Sequence, residues 1–191
     1  MIIGICSASG VGKTTASKIF EQHGFYHIDC DKVVRQNVYN KLDVIKAVES
    51  KFPSAVNNNK IDRKKLGEIV FNDNEKLLIL NKTVLPFISQ TIREEIKKIK
   101  GDIILDAPTL FEAGLDEDCD IIIGILSSEE NKIKRLILRD NIDISIIKSR
   151  LKSQKSDDFY KNHCDIIIEN NKSVKEFIQK VKKVINEIKN S

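Results

Sequence analysis

Ile2-Ile3-Gly4-Ile5-Cys6 runs directly into Ser7-Ala8-Ser9-Gly10-Val11-Gly12-Lys13-Thr14-Thr15, and a helical pattern begins at Lys13. An apolar strand, a glycine turn and a helix start in that order form a phosphate loop by position as well as by letters. Backbone N–H groups from Ser9 to Thr15, with the positive end of the helix behind them, would point at a polyphosphate. Lys13 would bridge the outer phosphates, and the Thr14 hydroxyl would ligate magnesium. Gly10 and Gly12 let the backbone approach without a side chain. Ser7 stands where such loops usually carry a first glycine.

Further short apolar runs at Phe25–Ile28, Ile103–Leu105, Ile121–Ile125 and Ile166–Ile168 join Ile2–Ile5 as strands buried on both faces. Amphipathic stretches at Lys13–His23, Lys41–Lys51, Arg63–Asn72, Glu75–Asn81, Pro86–Lys100, Glu129–Leu138, Ile144–Ser153 and Val174–Asn190 read as helices. Strand alternating with helix predicts an α/β fold with a parallel sheet. The stretch 32–101 is too long for one crossover and mostly helical, so it reads as a helical insertion near the carboxyl edge of the sheet, where ligands bind. A charge-rich stretch, 138–160, reads as a second, mobile insertion. The core of the single domain, 1–191, then comprises 1–31, 102–137 and 161–191.

Hydrophobic residues make up 41% of the chain and charged residues 31%, and no apolar run approaches the ~20 residues of a membrane span. With no leader-like stretch at Met1, a cytoplasmic protein without membrane attachment is expected. The net charge of +4 is spread over 32 basic and 28 acidic residues, which argues against a nucleic-acid surface. Cysteines 6, 30, 119 and 164 form no CxxC pair and read as reduced, mostly buried thiols. A monomer or weak homo-oligomer is expected.

Asp29 and Asp31 follow the second strand at its carboxyl end. If strand alternation continues, both face the phosphate crevice. One of them would orient and deprotonate a hydroxyl nucleophile, or merely cap the helix starting near Lys32. Asp106 ends the third strand, across the sheet from the loop; it either holds magnesium through water or caps a helix with Pro108 at its first position. Arg135 and Arg139 lie four apart on one helix face, as a clamp on phosphate oxygens or as a solvated surface. His23, His27 and His163 make no metal spacing.

The loop, Ile28-Asp29-Cys30-Asp31 with Arg35, and Leu105-Asp106-Ala107-Pro108-Thr109-Leu110-Phe111-Glu112-Ala113-Gly114 together resemble the dephospho-CoA kinase family. Further matches run to the end: Ile61-Asp62-Arg63, Leu80-Asn81 with Pro86, Arg135 and Arg139 with Asp140, Arg150 with Gln154, and Asp165-Ile166-Ile167-Ile168-Glu169-Asn170. The resemblance implies a three-layer P-loop kinase core with a five-stranded parallel sheet, a helical acceptor-binding insertion and a small lid. It also implies transfer of the γ-phosphate of ATP, with Mg2+, to the ribose 3′-hydroxyl of dephospho-CoA, the last step of coenzyme A synthesis. On that likeness Asp31 is the catalytic aspartate, working with Lys13 and with Arg139, while Arg139 and Arg135 close over ATP. Asp29, Arg35, Asp106, Pro108 and Glu112 then fall with Asp31 on the acceptor side. Ser7, Leu85, Thr109 and Val38-Tyr39-Asn40 depart from the family's usual pattern. A kinase for another nucleoside or nucleotide, a GTPase-type switch and a noncatalytic nucleotide binder are the competing readings. Asn81-Lys82-Thr83-Val84 lacks the acid of a guanine-reading segment.

Overall fold

In the computed structural model, residues 1–70 and 73–190 are described. Five parallel strands form one sheet: β1 (Ile2–Cys6), β2 (Tyr26–Asp29), β5 (Ile103–Asp106), β6 (Ile121–Leu126) and β7 (Ile166–Glu169). Their order is β2-β5-β1-β6-β7, so β1 sits in the centre with β5 and β6 as neighbours. All five expected strands are present, within a residue or two at their ends.

Strand alternation divides the core into two layers. Ile3 and Ile5 of β1 face α1 (Lys13–Gln22) and α9 (Val174–Asn190), packing with Phe20, Phe177, Val181 and Ile185. Cys6, Ile103 and Leu105 face the other way, against Ile92, Leu110 and Tyr160. A third apolar cluster lies apart from the sheet, built of Val38, Val44, Val48, Phe52, Leu66, Val70, Leu80 and Val84. It joins α3 (Leu42–Lys51), α4 (Arg63–Val70) and the first half of α5 (Asn74–Lys97).

Several local expectations need correction. The two helices expected at Glu75–Asn81 and Pro86–Lys100 are one helix, α5, with Pro86 inside it. Proline there removes one backbone donor, but Leu80 and Val84 are anchored in the third cluster and Ile92 in the sheet core, so packing on both sides carries the helix through. Asn57-Asn58-Asn59-Lys60 forms a polar turn. It is the tip of a hairpin between β3 (Val56–Asn57) and β4 (Lys60–Ile61), with Asn58 and Asn59 at φ 49° and 56°. Two left-handed residues suit a two-residue hairpin turn, and asparagine tolerates that conformation. The end of the helix expected over Arg63–Asn72 falls at Asn72, outside the described residues. The charged stretch 138–160 holds the end of α6 (Glu129–Asp140), all of α7 (Ile144–Lys152) and the start of an unanticipated short helix, α8 (Asp157–His163). Asp143 and Ser156 cap α7 and α8 by accepting from Ser145 and Phe159 amides. No helix among the described residues is long and apolar enough to cross a membrane.

Candidate active site

The phosphate loop occupies the carboxyl end of β1, with Gly12 as the residue before α1 at φ 102° and Gly10 at φ 81°. Both conformations favour glycine, and a Cβ would also collide: with the Lys132 carbonyl at 2.8 Å for Gly10, and with Asn170 Nδ2 at 2.7 Å for Gly12. Ser7 is outside the left-handed region, so a side chain is accommodated where glycine is usual. Its hydroxyl is enclosed and has no hydrogen-bond partner among the described residues.

The loop is held from outside by side chains. Arg135 donates to the Gly10 carbonyl at 3.2 Å, to Ser127 Oγ at 3.0 Å and to the Asn170 carbonyl at 2.9 Å. Asn170 Nδ2 donates to the Val11 carbonyl at 2.7 Å. In a trans peptide the carbonyl and the next N–H point opposite ways, so fixing these two carbonyls fixes the amides of Val11 and Gly12. At the start of α1 the Thr15 and Ala16 amides donate to the Gly12 carbonyl, at 3.0 and 3.2 Å, and the amides before them precede the first intrahelical acceptor. Donors at a helix start are the chemistry an anion needs.

Lys13 Nζ lies against Asp106 Oδ1, and Ser17 Oγ donates to Asp106 Oδ2 at 2.8 Å. Asp106 is not across the sheet from the loop. β5 pairs directly with β1, with Asp106 in register with Ile5. Nor is it a helix cap, because residues after Ala107 form turns up to Gly114 and no helix starts at Pro108. Burial pulls the Lys13 ammonium below the usual lysine range, while the nearby carboxylates of Asp31 and Asp29 act to raise it. His27 Nε2 lies 3.7 Å from Asp106 Oδ2, and burial pushes that imidazole down.

Asp29 and Asp31 have different settings. The strand ends at Asp29, whose carboxylate accepts from the Lys32 amide at 2.9 Å and caps the short helix α2 (Cys30–Val33). Asp31, inside that helix, does not continue strand alternation; its carboxylate is exposed near Lys13. Arg35 Nε donates to the Asp31 carbonyl at 3.1 Å. Thr14 and Thr15 are exposed at the start of α1, and Glu112 is exposed in the turns after Pro108.

Arg135 and Arg139 share α6 but not a neighbourhood. Arg135 is tied into the loop, whereas Arg139 is exposed and paired bidentately with Asp140 at 2.6 and 2.8 Å, which raises its pKa. Arg150 of α7 reaches the same carboxylate at 3.3 Å. Sequence reasoning gave no role to Ser17, Ser127 or Asn170. Their partners lie up to 159 residues away along the chain, and no local spacing signals such contacts.

The comparisons with known proteins agree on one family. The model of the dephospho-CoA kinase family matches residues 1–176. A dephospho-CoA kinase of Fusobacterium nucleatum is 37% identical over 187 residues, covering 96% of both chains. A solved dephospho-CoA kinase from Campylobacter jejuni superposes with a TM-score of 0.71 at 31% identity, over 98% of this chain and 96% of that one. Shikimate kinase from Acinetobacter baumannii shares the fold alone, with a TM-score of 0.54 at 14% identity over 98% and 92% of the two chains. The chain belongs to the dephospho-CoA kinase family and is an ATP-dependent kinase of coenzyme A biosynthesis.

Proposed function

We propose that this chain moves the γ-phosphoryl group of ATP to the ribose 3′-hydroxyl of dephospho-CoA with Asp31 as the group that receives the hydroxyl proton. The observation that carries the assignment is the placement of one largely enclosed lysine among carboxylates. Lys13 is paired with Asp106 and feels the charge of Asp31 and Asp29, at the carboxyl ends of β1, β2 and β5. Phosphoryl transfer through a loose transition state needs positioning and charge stabilisation, which the loop amides and Lys13 supply. Asp29 is committed through Oδ1 to its capping bond, which leaves Asp31, exposed near Lys13, as the carboxylate assigned to the acceptor. Arg35, whose Nε donates to the Asp31 carbonyl, and the turn carrying Pro108 and Glu112 are assigned to the acceptor side.

The oxygen donors near the loop suit magnesium. Thr14 offers a hydroxyl and Asp106 a carboxylate, and a cation with few protein ligands that relies on phosphates and water fits that set. Among the described residues no group of three or more His, Cys, Asp or Glu side chains forms an all-protein cage. When bound, magnesium neutralises charge on the phosphates. Segment 138–160 acts as the lid and brings Arg139 over the nucleotide. The helical insertion 32–101, with its own apolar cluster, forms the acceptor side of the cleft.

A coupled ADP-release assay with ATP and magnesium tests this, comparing dephospho-CoA with adenosine, AMP and no acceptor. Release that depends on dephospho-CoA, with a product of coenzyme A mass, is expected. Asp31→Asn should lose at least 100-fold in kcat, on the order of general-base catalysis, while ATP affinity is retained. Normal turnover in that variant overturns the role of Asp31.

A further inference from the structure

One contact joins the segment assigned to the lid directly to the phosphate loop. Gln154, just past the end of α7, clasps Ser9 from both sides: its Oε1 accepts from the Ser9 amide at 2.9 Å, and its Nε2 donates to Ser9 Oγ at 3.0 Å. The two residues are 145 positions apart in sequence, and both are half-buried. Arg135 and Asn170 hold the next two carbonyls of the same loop, at Gly10 and Val11. Those two come from α6 and from the residue after β7. Gln154 differs from them in its mounting, because it hangs on the charged arm that carries Arg150 and runs back from Arg139 and Asp140.

We infer that Gln154 is a positioning residue of the kinase, which fixes the leading arm of the phosphate loop and makes its geometry depend on where the lid arm stands. The inference rests on the phosphate-loop and lid assignment made above. A primary amide meets both needs of Ser9 at once, acceptor for the N–H and donor to the hydroxyl. The chain beyond it is fastened as well: Lys132 Nζ pairs with Asp157 at 2.6 Å, and Ser156 caps α8. Gln154 therefore sits between the fastened foot of the arm at Ser156 and Asp157 and its outer end, which carries Arg139, Asp140 and Arg150. A shift of α7 during closure is transmitted to Ser9 through these two bonds. Loss of the clasp frees the Ala8–Ser9 peptide, and misplacement of reacting groups by about 1 Å costs up to about 100-fold in rate.

The test is steady-state kinetics with both substrates varied, together with melting temperatures, for wild type, Gln154→Ala, Gln154→Asn, Ser9→Ala and the double variant Ser9→Ala/Gln154→Ala. Asparagine keeps the amide but is one methylene too short for the clasp. Gln154→Ala and Gln154→Asn should each lower kcat/KM for ATP by about tenfold or more. KM for dephospho-CoA and the melting temperature should stay near wild type. Ser9→Ala removes one of the two bonds and should lose less, and the double variant should be no worse than Gln154→Ala alone. Wild-type kcat/KM for ATP in both Gln154 variants overturns the inference. So does an equal loss toward both substrates accompanied by a lower melting temperature, which marks a structural role only. Lys13→Ala and Asp31→Asn run alongside: if they retain activity, the site assignment fails, whatever Gln154 does.

Discussion

Lys13 is legible in the sequence as the phosphate-loop lysine, because the chemistry of that loop is written in consecutive residues. Its resting partner is not. Asp106 lies 93 positions away and meets Lys13 because β5 pairs with β1. The pair is largely buried, with side-chain exposures of 16% and 8%, so removing one member leaves a charge without its counter-ion. Lys13→Ala should therefore do two things: lower turnover by about 1,000-fold through loss of transition-state charge stabilisation, and lower stability by about 3 kcal/mol. Adding Asp106→Asn should restore most of the stability and none of the turnover, as read by thermal denaturation beside the ADP assay. Full stability in Lys13→Ala alone would mean that Asp106 is adequately solvated. Asp29 and Asp31 show the same limit of local reading: the letters offered either residue for catalysis or capping, and the Lys32 amide decides for Asp29 as the cap.

Among the elements, the five parallel strands were legible because strands buried on both faces are unbroken apolar runs. Elements set by tertiary context were not. α5 passes through Pro86 because two apolar clusters grip it, and β3 and β4 have two residues each, too short for any periodicity. α6 was placed well, yet the four-residue spacing of Arg135 and Arg139 overstated their likeness. Arg135 is committed to loop carbonyls, whereas Arg139 is exposed and held by Asp140 at the end of the helix, before Asn141 in a left-handed conformation at φ 50°. Exchange of that exposed ion pair for a phosphate contact costs little. Arg139→Ala should thus lower kcat by about tenfold or more with an unchanged circular dichroism spectrum and melting temperature. Arg135→Ala is a different experiment, since it unfastens the loop itself. Wild-type kcat in Arg139→Ala would return that residue to the solvated surface.

At the scale of the molecule, two layers of helices cover a sheet whose carboxyl ends carry the site, and the sequence conveys that plan through its alternation of runs. It conveys less about how the layers touch. All four cysteines belong to the same layer, the one packed against Ile92, Leu110 and Tyr160. Cys119 Sγ and Cys164 Sγ fill the places where a Cβ on Gly4 or Gly124 would stand, at 2.8 and 2.9 Å, and Cys164 Sγ lies 3.5 Å from Cys6 Sγ. Burial pushes the Cys30 thiol well up, and Cys119 is pushed up to about 12, mainly by burial with nearby acids adding. Cys6 and Cys30 are buried, and each adjoins the site, one residue before Ser7 and one before Asp31. A thiol so enclosed reacts with an alkylating reagent only when the layer opens, so its labelling rate measures how often that happens. ATP at 100 times its Kd lowers the population of any opened state that cannot bind it by about 100-fold. Native-state alkylation followed by mass spectrometry should show Cys6 and Cys30 slowed by nucleotide far more than Cys119. Equal slowing at all three would mean that the layer opens as one. The packing that fills the glycine gaps thus doubles as a set of built-in stopwatches, each timing a different door of the same wall.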